Sequence, residues 1–163
     1  MRYTIHQDPW IDEQIQKQLD AVCKRLIDEL DNNLRAIILT GSFGRGEGSV
    51  LLSEDRTITP LKDFDIKVVV ARSVPAERWE GINSSLYEVL DIPDPTSGTY
   101  HFSTFNVTVD QMLAAVERLR PDISTYDLTH NSQVLYGNGE SYLKKWRVDL
   151  QKIPVVSGLR FLL

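Results

Sequence analysis

The residues best suited to chemistry in this chain are two aspartates one position apart, Asp63 and Asp65, and a glycine-rich stretch upstream of them. Side chains alternate along an extended strand, so Asp63 and Asp65 share one face while Phe64 and Ile66 take the other. The two Cα atoms then lie about 6–7 Å apart. Carboxylates that close repel each other unless a cation or a proton lies between them. A hard divalent ion such as Mg²⁺ binds such oxygens and keeps positions for water and a substrate phosphate. Lys67 falls on the same face, where it either neutralises the pair or meets a phosphate. The plainer reading of this Asp-x-Asp is a solvated strand end, since charged residues are mostly exposed.

The glycine-rich stretch runs from Gly41 to Ser49 and reads GSFGRGEGS. Gly41, Gly44, Gly46 and Gly48 let the backbone turn tightly and bring N–H groups close to an anion. Ser42 adds a hydroxyl donor, and Arg45 a planar cation matched to phosphate oxygens. No Gly-Lys-Ser/Thr closes the loop, and its glycines are not spaced G-x-G-x-x-G, so neither common nucleotide-loop motif is present. A surface turn is the competing reading.

These groups need elements to hold them. Asp8, Pro9 and the stripe Ile11, Ile15, Leu19, Val22, Leu26, Leu30 predict a capped helix over 8–31. Leu34 to Thr40 reads as a strand buried on both faces and runs directly into Gly41. Residues 50–61 read as a loop or irregular hairpin closed by Pro60, and Asp63 to Val70 as a second strand. Pro75 opens a helix to about Leu90 with Trp79, Ile82, Leu86 and Val89 on one side. Residues 92–98 form a connection, and Tyr100 to Val109 a third strand. Asp110 then carries two readings. It is a third acid with the strand parity of Asn106 and Thr108, or the N-cap of a short helix bearing Met112, Val116 and Leu119 that Pro121 stops. Were Asn106 to hold the third-acid position instead, catalysis would lack a carboxylate. A helical turn over 122–129, a strand at Gln133–Tyr136 and an apolar segment from Ile153 to Leu163 that reads as the start of a further helix complete the chain.

Composition sets the frame. The 163 residues suit one domain, and 42% hydrophobic with 25% charged residues is ordinary globular composition. A formal net charge of −5 argues against a general nucleic-acid or anionic-membrane binder. Cys23 is the single cysteine, which excludes an internal disulfide and fits a reducing compartment. No stretch approaches the ~18 apolar residues of a membrane span, so the chain reads as a soluble, cytoplasmic domain. His6, His101 and His130 show no metal-ligand spacing with one another or with Cys23. Lys144, Lys145 and Arg147 read as the solvent side of a helix around a packed Trp146, and Ser53 to Arg56 as a solvated charged loop. No G-x-S-x-G elbow is present.

An apolar strand, Gly-Ser, a loop and then Asp-apolar-Asp-apolar together resemble the nucleotidyltransferase superfamily. Leu39-Thr40-Gly41-Ser42 and Asp63-Phe64-Asp65-Ile66 supply its two signature halves, and Gly41–Gly46 follows its G-S-x-x-R-G form. Tyr126-Asp127-Leu128 through Val134-Leu135-Tyr136-Gly137 is similar to a later element of the superfamily's minimal-type members. The resemblance covers residues 34–137, with an enlarged loop of twenty residues between Ser42 and Asp63. It implies an α/β (α+β) fold: a small mixed sheet with helices packed on one face. A nucleotidyltransferase domain would span 1–140, and 141–163 would begin a truncated C-terminal helical element. The implied activity is metal-dependent transfer of a nucleoside monophosphate from an NTP to an acceptor hydroxyl (RNA, protein or small molecule), with release of pyrophosphate. Asp63, Asp65 and Asp110 would be catalytic and hold two Mg²⁺ ions, or Mn²⁺. Gly41, Ser42, Gly44, Arg45 and Lys67 would bind the nucleotide. The alternative is an inactive nucleotide-binding or antitoxin-like module on the same fold, paired with a helical partner or a further C-terminal domain.

Overall fold

Asp8 does what a cap residue should. In the computed structural model, which describes residues 2–6, 8–54, 56–92 and 106–154, its carboxylate accepts the Trp10 N–H at 2.9 Å and starts helix α1 (Pro9–Leu30). The six-residue apolar stripe of α1 is buried along its whole length. A 3-10 turn at Asp31–Asn33 leads into β1 (Leu34–Thr40), in which every residue except Arg35 is buried. One helical turn, α2 (Gly41–Gly44), follows directly. β2 (Val50–Leu52) and β3 (Ile58–Pro60) pair as the small hairpin expected between 50 and 61. β4 (Phe64–Val70) comes next, then α3 (Ala76–Leu90), which buries Trp79, Ile82, Leu86 and also Tyr87, with Val89 half-buried. β5 (Val107–Leu113), α4 (Ile123–His130), β6 (Gln133–Gly137) and α5 (Gly139–Trp146) complete the order.

The fold is mixed α/β. Its main sheet has the order β5-β4-β1-β6, with β4 and β5 parallel and β1 antiparallel to both β4 and β6. Strand alternation divides the side chains between two apolar clusters. Ile37 and Leu39 of β1, Phe64, Ile66, Val68 and Val70 of β4, and Val107 and Val109 of β5 pack beneath α1 and α3. Ala36, Ile38 and Val69 face the other way and meet Leu128 of α4 with Leu143 and Trp146 of α5. Helices therefore fill one face and also cover part of the second. Trp146 is packed, 1% exposed, and its indole N–H donates to the Val116 carbonyl at 2.7 Å. No helix among the described residues is long and apolar enough to cross a membrane.

One expectation fails at β5. Asp110 does not cap a helix, because the strand continues through it to Leu113 and no helix forms before α4. β4 supplies a parallel partner along the whole length, pairing Val68 with Gln111, Val69 with Met112 and Val70 with Leu113. Gln111 reinforces this by accepting the Val74 N–H at 2.8 Å and donating to the Val74 carbonyl at 3.0 Å. Ladder bonds thus outweigh a helical periodicity carried by only a few residues. The cap lies instead at Asp122, whose carboxylate accepts the Thr125 N–H at 2.8 Å and starts α4. The expected strand at 100–105, His101, the connection at 93–98 and the apolar segment at 155–163 lie outside the described residues.

Candidate active site

β1 delivers Gly41 against β4. Gly41 has φ +66°, and a Cβ there would stand 2.2 Å from Oδ2 of Asp65. Only glycine satisfies both the left-handed backbone and so close an approach. The glycine loop and the second aspartate of Asp-x-Asp are therefore in contact, although far apart in the chain. Gly44 packs inward, where a Cβ would meet the Leu39 carbonyl at 2.6 Å. Ser42 lies in the same helical turn.

The face of β4 opposite the main core carries Asp65 and Lys67, as alternation predicts. Asp63 is exposed just ahead of the strand, and its Oδ1 accepts the Asn106 N–H at 3.2 Å. Asp65 and Lys67 are half-buried. Parallel pairing sets Asp65 beside Thr108 and Lys67 beside Asp110. Nζ of Lys67 donates to Oδ2 of Asp110. The Asn106 carboxamide is turned elsewhere, its oxygen accepting the Tyr87 hydroxyl of α3. Burial pushes the Asp65 carboxyl above its ordinary range, and the negative charges of Asp63 and Asp110 add to this against Lys67 and Arg45.

Gly41, Arg45, Asp65, Lys67 and Asp110 line an open cleft of about 850 Å³ between the sheet and α4. Met112 of β5, with Leu119, Ile123 and Leu128, adds apolar surface to the lining. Ser42, Gly44 and Asp63 are not in its wall. Arg45 crosses the cleft, donating from Nε to Glu47 and from Nη1 to Asp127 of α4, each at 2.8 Å. The Glu47 hydrogen bond leads the causes that raise the guanidinium pKa further, with the Asp127 charge contributing.

Gln133, at the start of β6, was not singled out by residue type or spacing. Its Nε2 donates to three carbonyls: Arg2 at 2.9 Å, Gly44 at 3.0 Å and Phe43 at 3.3 Å. One amide thereby pins the back of the glycine loop to the sheet and to the N-terminal segment. The only signal in the chain was a polar residue leading a short apolar strand. Asp127, the partner of Arg45, likewise showed nothing in its local spacing of the contact it makes.

The carboxylates fit one divalent cation better than two. Asp65 is half-buried and repelled by Asp63 and Asp110, a combination that a cation relieves. Asp110 is engaged by Lys67, and among the described residues no three His, Cys, Asp or Glu side chains gather closely enough to hold an ion.

The sequence matches no known family model and no curated protein. Solved structures do match. The spectinomycin adenyltransferase of Enterococcus faecialis, determined with ATP and spectinomycin, superimposes with a TM-score of 0.54 at 17% identity, over 88% of this chain and 62% of that one. A tri-AMPylated HEPN toxin in complex with MNT antitoxin from Shewanella oneidensis matches with a TM-score of 0.47 at 16% identity, over 78% of this chain and 76% of that one. A toxin–antitoxin structure with AMP-PNP matches with a TM-score of 0.44 at 18% identity, over 75% of each chain.

Proposed function

From the nucleotidyltransferase-type fold of this chain, we propose that the cleft binds a nucleoside triphosphate and transfers its monophosphate to an acceptor hydroxyl, releasing pyrophosphate. The observation that carries this reading is the contact of Gly41 with Asp65 at one wall of the cleft. It supports the reading because a glycine turn of the kind that suits phosphate oxygens stands beside a carboxylate that suits a cation. In the reaction, the acceptor oxygen forms a bond to the α-phosphorus and the bond to the β-phosphate oxygen breaks. Asp63 and Asp65 would hold the divalent ion, which supplies charge neutralisation of the triphosphate. The N–H groups of the glycine loop and the Ser42 hydroxyl bind the β- and γ-phosphates, which become the leaving group. Arg45 joins them by exchanging Glu47 and Asp127 for phosphate oxygens, a planar match of the same kind. Asp110, exposed on the same wall, takes up the acceptor proton.

Thermal unfolding with ATP, GTP, CTP and UTP, with and without Mg²⁺, tests the binding step. A ligand that binds only the folded chain stabilises it by about 2.7 kcal/mol at a hundredfold excess over its dissociation constant. The expected result is a metal-dependent rise in midpoint that disappears in Asp63→Ala/Asp65→Ala, and no rise with any nucleotide overturns the reading. A second reading, a nucleotide- or partner-binding module without transfer, is favoured by three ion pairs. Arg45 is held by Glu47 and Asp127, and Asp110 is held by Lys67. Pyrophosphate release on incubation with the stabilising nucleotide and candidate hydroxyl acceptors separates the two readings.

A further inference from the structure

We propose that Lys67 stands as a fixed ammonium where a second divalent ion would otherwise sit, so that this site works with a single divalent ion at Asp63 and Asp65. The inference rests on the nucleotidyl-transfer reading and deepens it. It follows from the register of two strands. Along β4 the cleft-facing side chains are Asp65 and Lys67, with Asp63 exposed just ahead of the strand, and beside them on β5 stand Thr108 and Asp110. The position directly beside Asp65 holds Thr108 and no carboxylate. Asp110 lies one rung further along, opposite Lys67, with its Oδ2 taken by Nζ.

Charge leads to the same arrangement. Lys67 cancels one of three neighbouring carboxylates, Asp63, Asp65 and Asp110, and the two that remain match one divalent cation. A second cation bound at Asp110 would have to displace the ammonium already hydrogen-bonded to that carboxylate. The ammonium itself is half-buried and lines the cleft. It presents to an incoming triphosphate the positive charge that a second ion would bring, with no ion to capture or release.

Electron paramagnetic resonance titration of the full chain with Mn²⁺, in the presence of a non-hydrolysable ATP analogue, counts the ions. The wild type is expected to bind one Mn²⁺ per chain, Lys67→Arg also one, and Lys67→Gln two, because Asp110 is released as a ligand. Lys67→Gln/Asp110→Asn is expected to return to one. Two ions in the wild type overturn the inference and leave nucleotidyl transfer standing. An unchanged count in folded Lys67→Gln also overturns it. Should Lys67→Gln fail to fold, the wild-type and Lys67→Arg counts decide the matter. A folded wild type that binds neither the analogue nor Mn²⁺ overturns the nucleotidyl-transfer reading, and this inference with it.

Discussion

The two faces of β4 obey opposite rules. Phe64, Ile66, Val68 and Val70 are all fully buried beneath α1 and α3, and Phe64 meets Phe43 edge to face with centroids 4.8 Å apart. On the other side, α4 and α5 cover Val69 and the adjoining β1 side chains, and Asp65 and Lys67 are left at the wall of the cleft. One seven-residue strand thus serves both core and site. The closed face gains stability from apolar area removed from water, while the open face keeps like charges close together at some cost to the fold. Substitutions on the two faces should therefore separate stability from activity.

The largest effect is expected on the closed face. Phe64→Ala removes a fully buried ring and should cost about 3–5 kcal/mol. Its thermal midpoint should fall on the order of 10 °C, whatever nucleotide is present. On the open face Asp65→Ala should lower turnover by roughly 100- to 1000-fold, the range seen when one preorganised electrostatic group is removed. Its midpoint without ligand should equal or exceed that of the wild type. A pyrophosphate assay and a melt on the same samples check both halves, and a large loss of stability in Asp65→Ala would erase the contrast between the faces.

Gln133→Leu tests whether the loop needs its support from behind. It leaves the Arg2, Phe43 and Gly44 carbonyls without their shared donor. Nucleotide affinity should weaken about tenfold, equivalent to ~1.4 kcal/mol, and titration calorimetry measures it. The smallest effect is a pH dependence. The Asp65 carboxyl is raised in the folded state, so the stability it contributes is present below its unfolded value and is lost as pH rises through the folded one. Asp65→Asn should therefore melt above the wild type at neutral pH, and the gap should close as pH falls through the carboxylate range. A gap that widens on acidification would reverse the sign assigned to Asp65.

Much of this was legible in the chain. The cap at Asp8, the stripe of α1, the apolar run of β1 and the alternation of β4 are short-range patterns, and each element formed where its pattern lay. β5 was misread at its C-terminal half because Met112, Val116 and Leu119 imitate a helical period. The ladder that keeps Gln111–Leu113 extended comes from β4, a distant part of the chain. Asp110 could not be assigned for the same reason, since its environment depends on which strand lies beside it.

By itself the sequence determined that Asp65 and Lys67 share a face of β4 and that a glycine turn follows a buried strand. Those facts follow from the two-residue period of a strand and the backbone freedom of glycine, both properties of neighbouring residues. Only the tertiary structure decided that Gly41 abuts Asp65, that Thr108 and not Asp110 stands beside it, and that Arg45 and Lys67 each hold a carboxylate from a distant segment. Strand register and cross-chain ion pairs are set by how whole faces pack, and no local spacing encodes them.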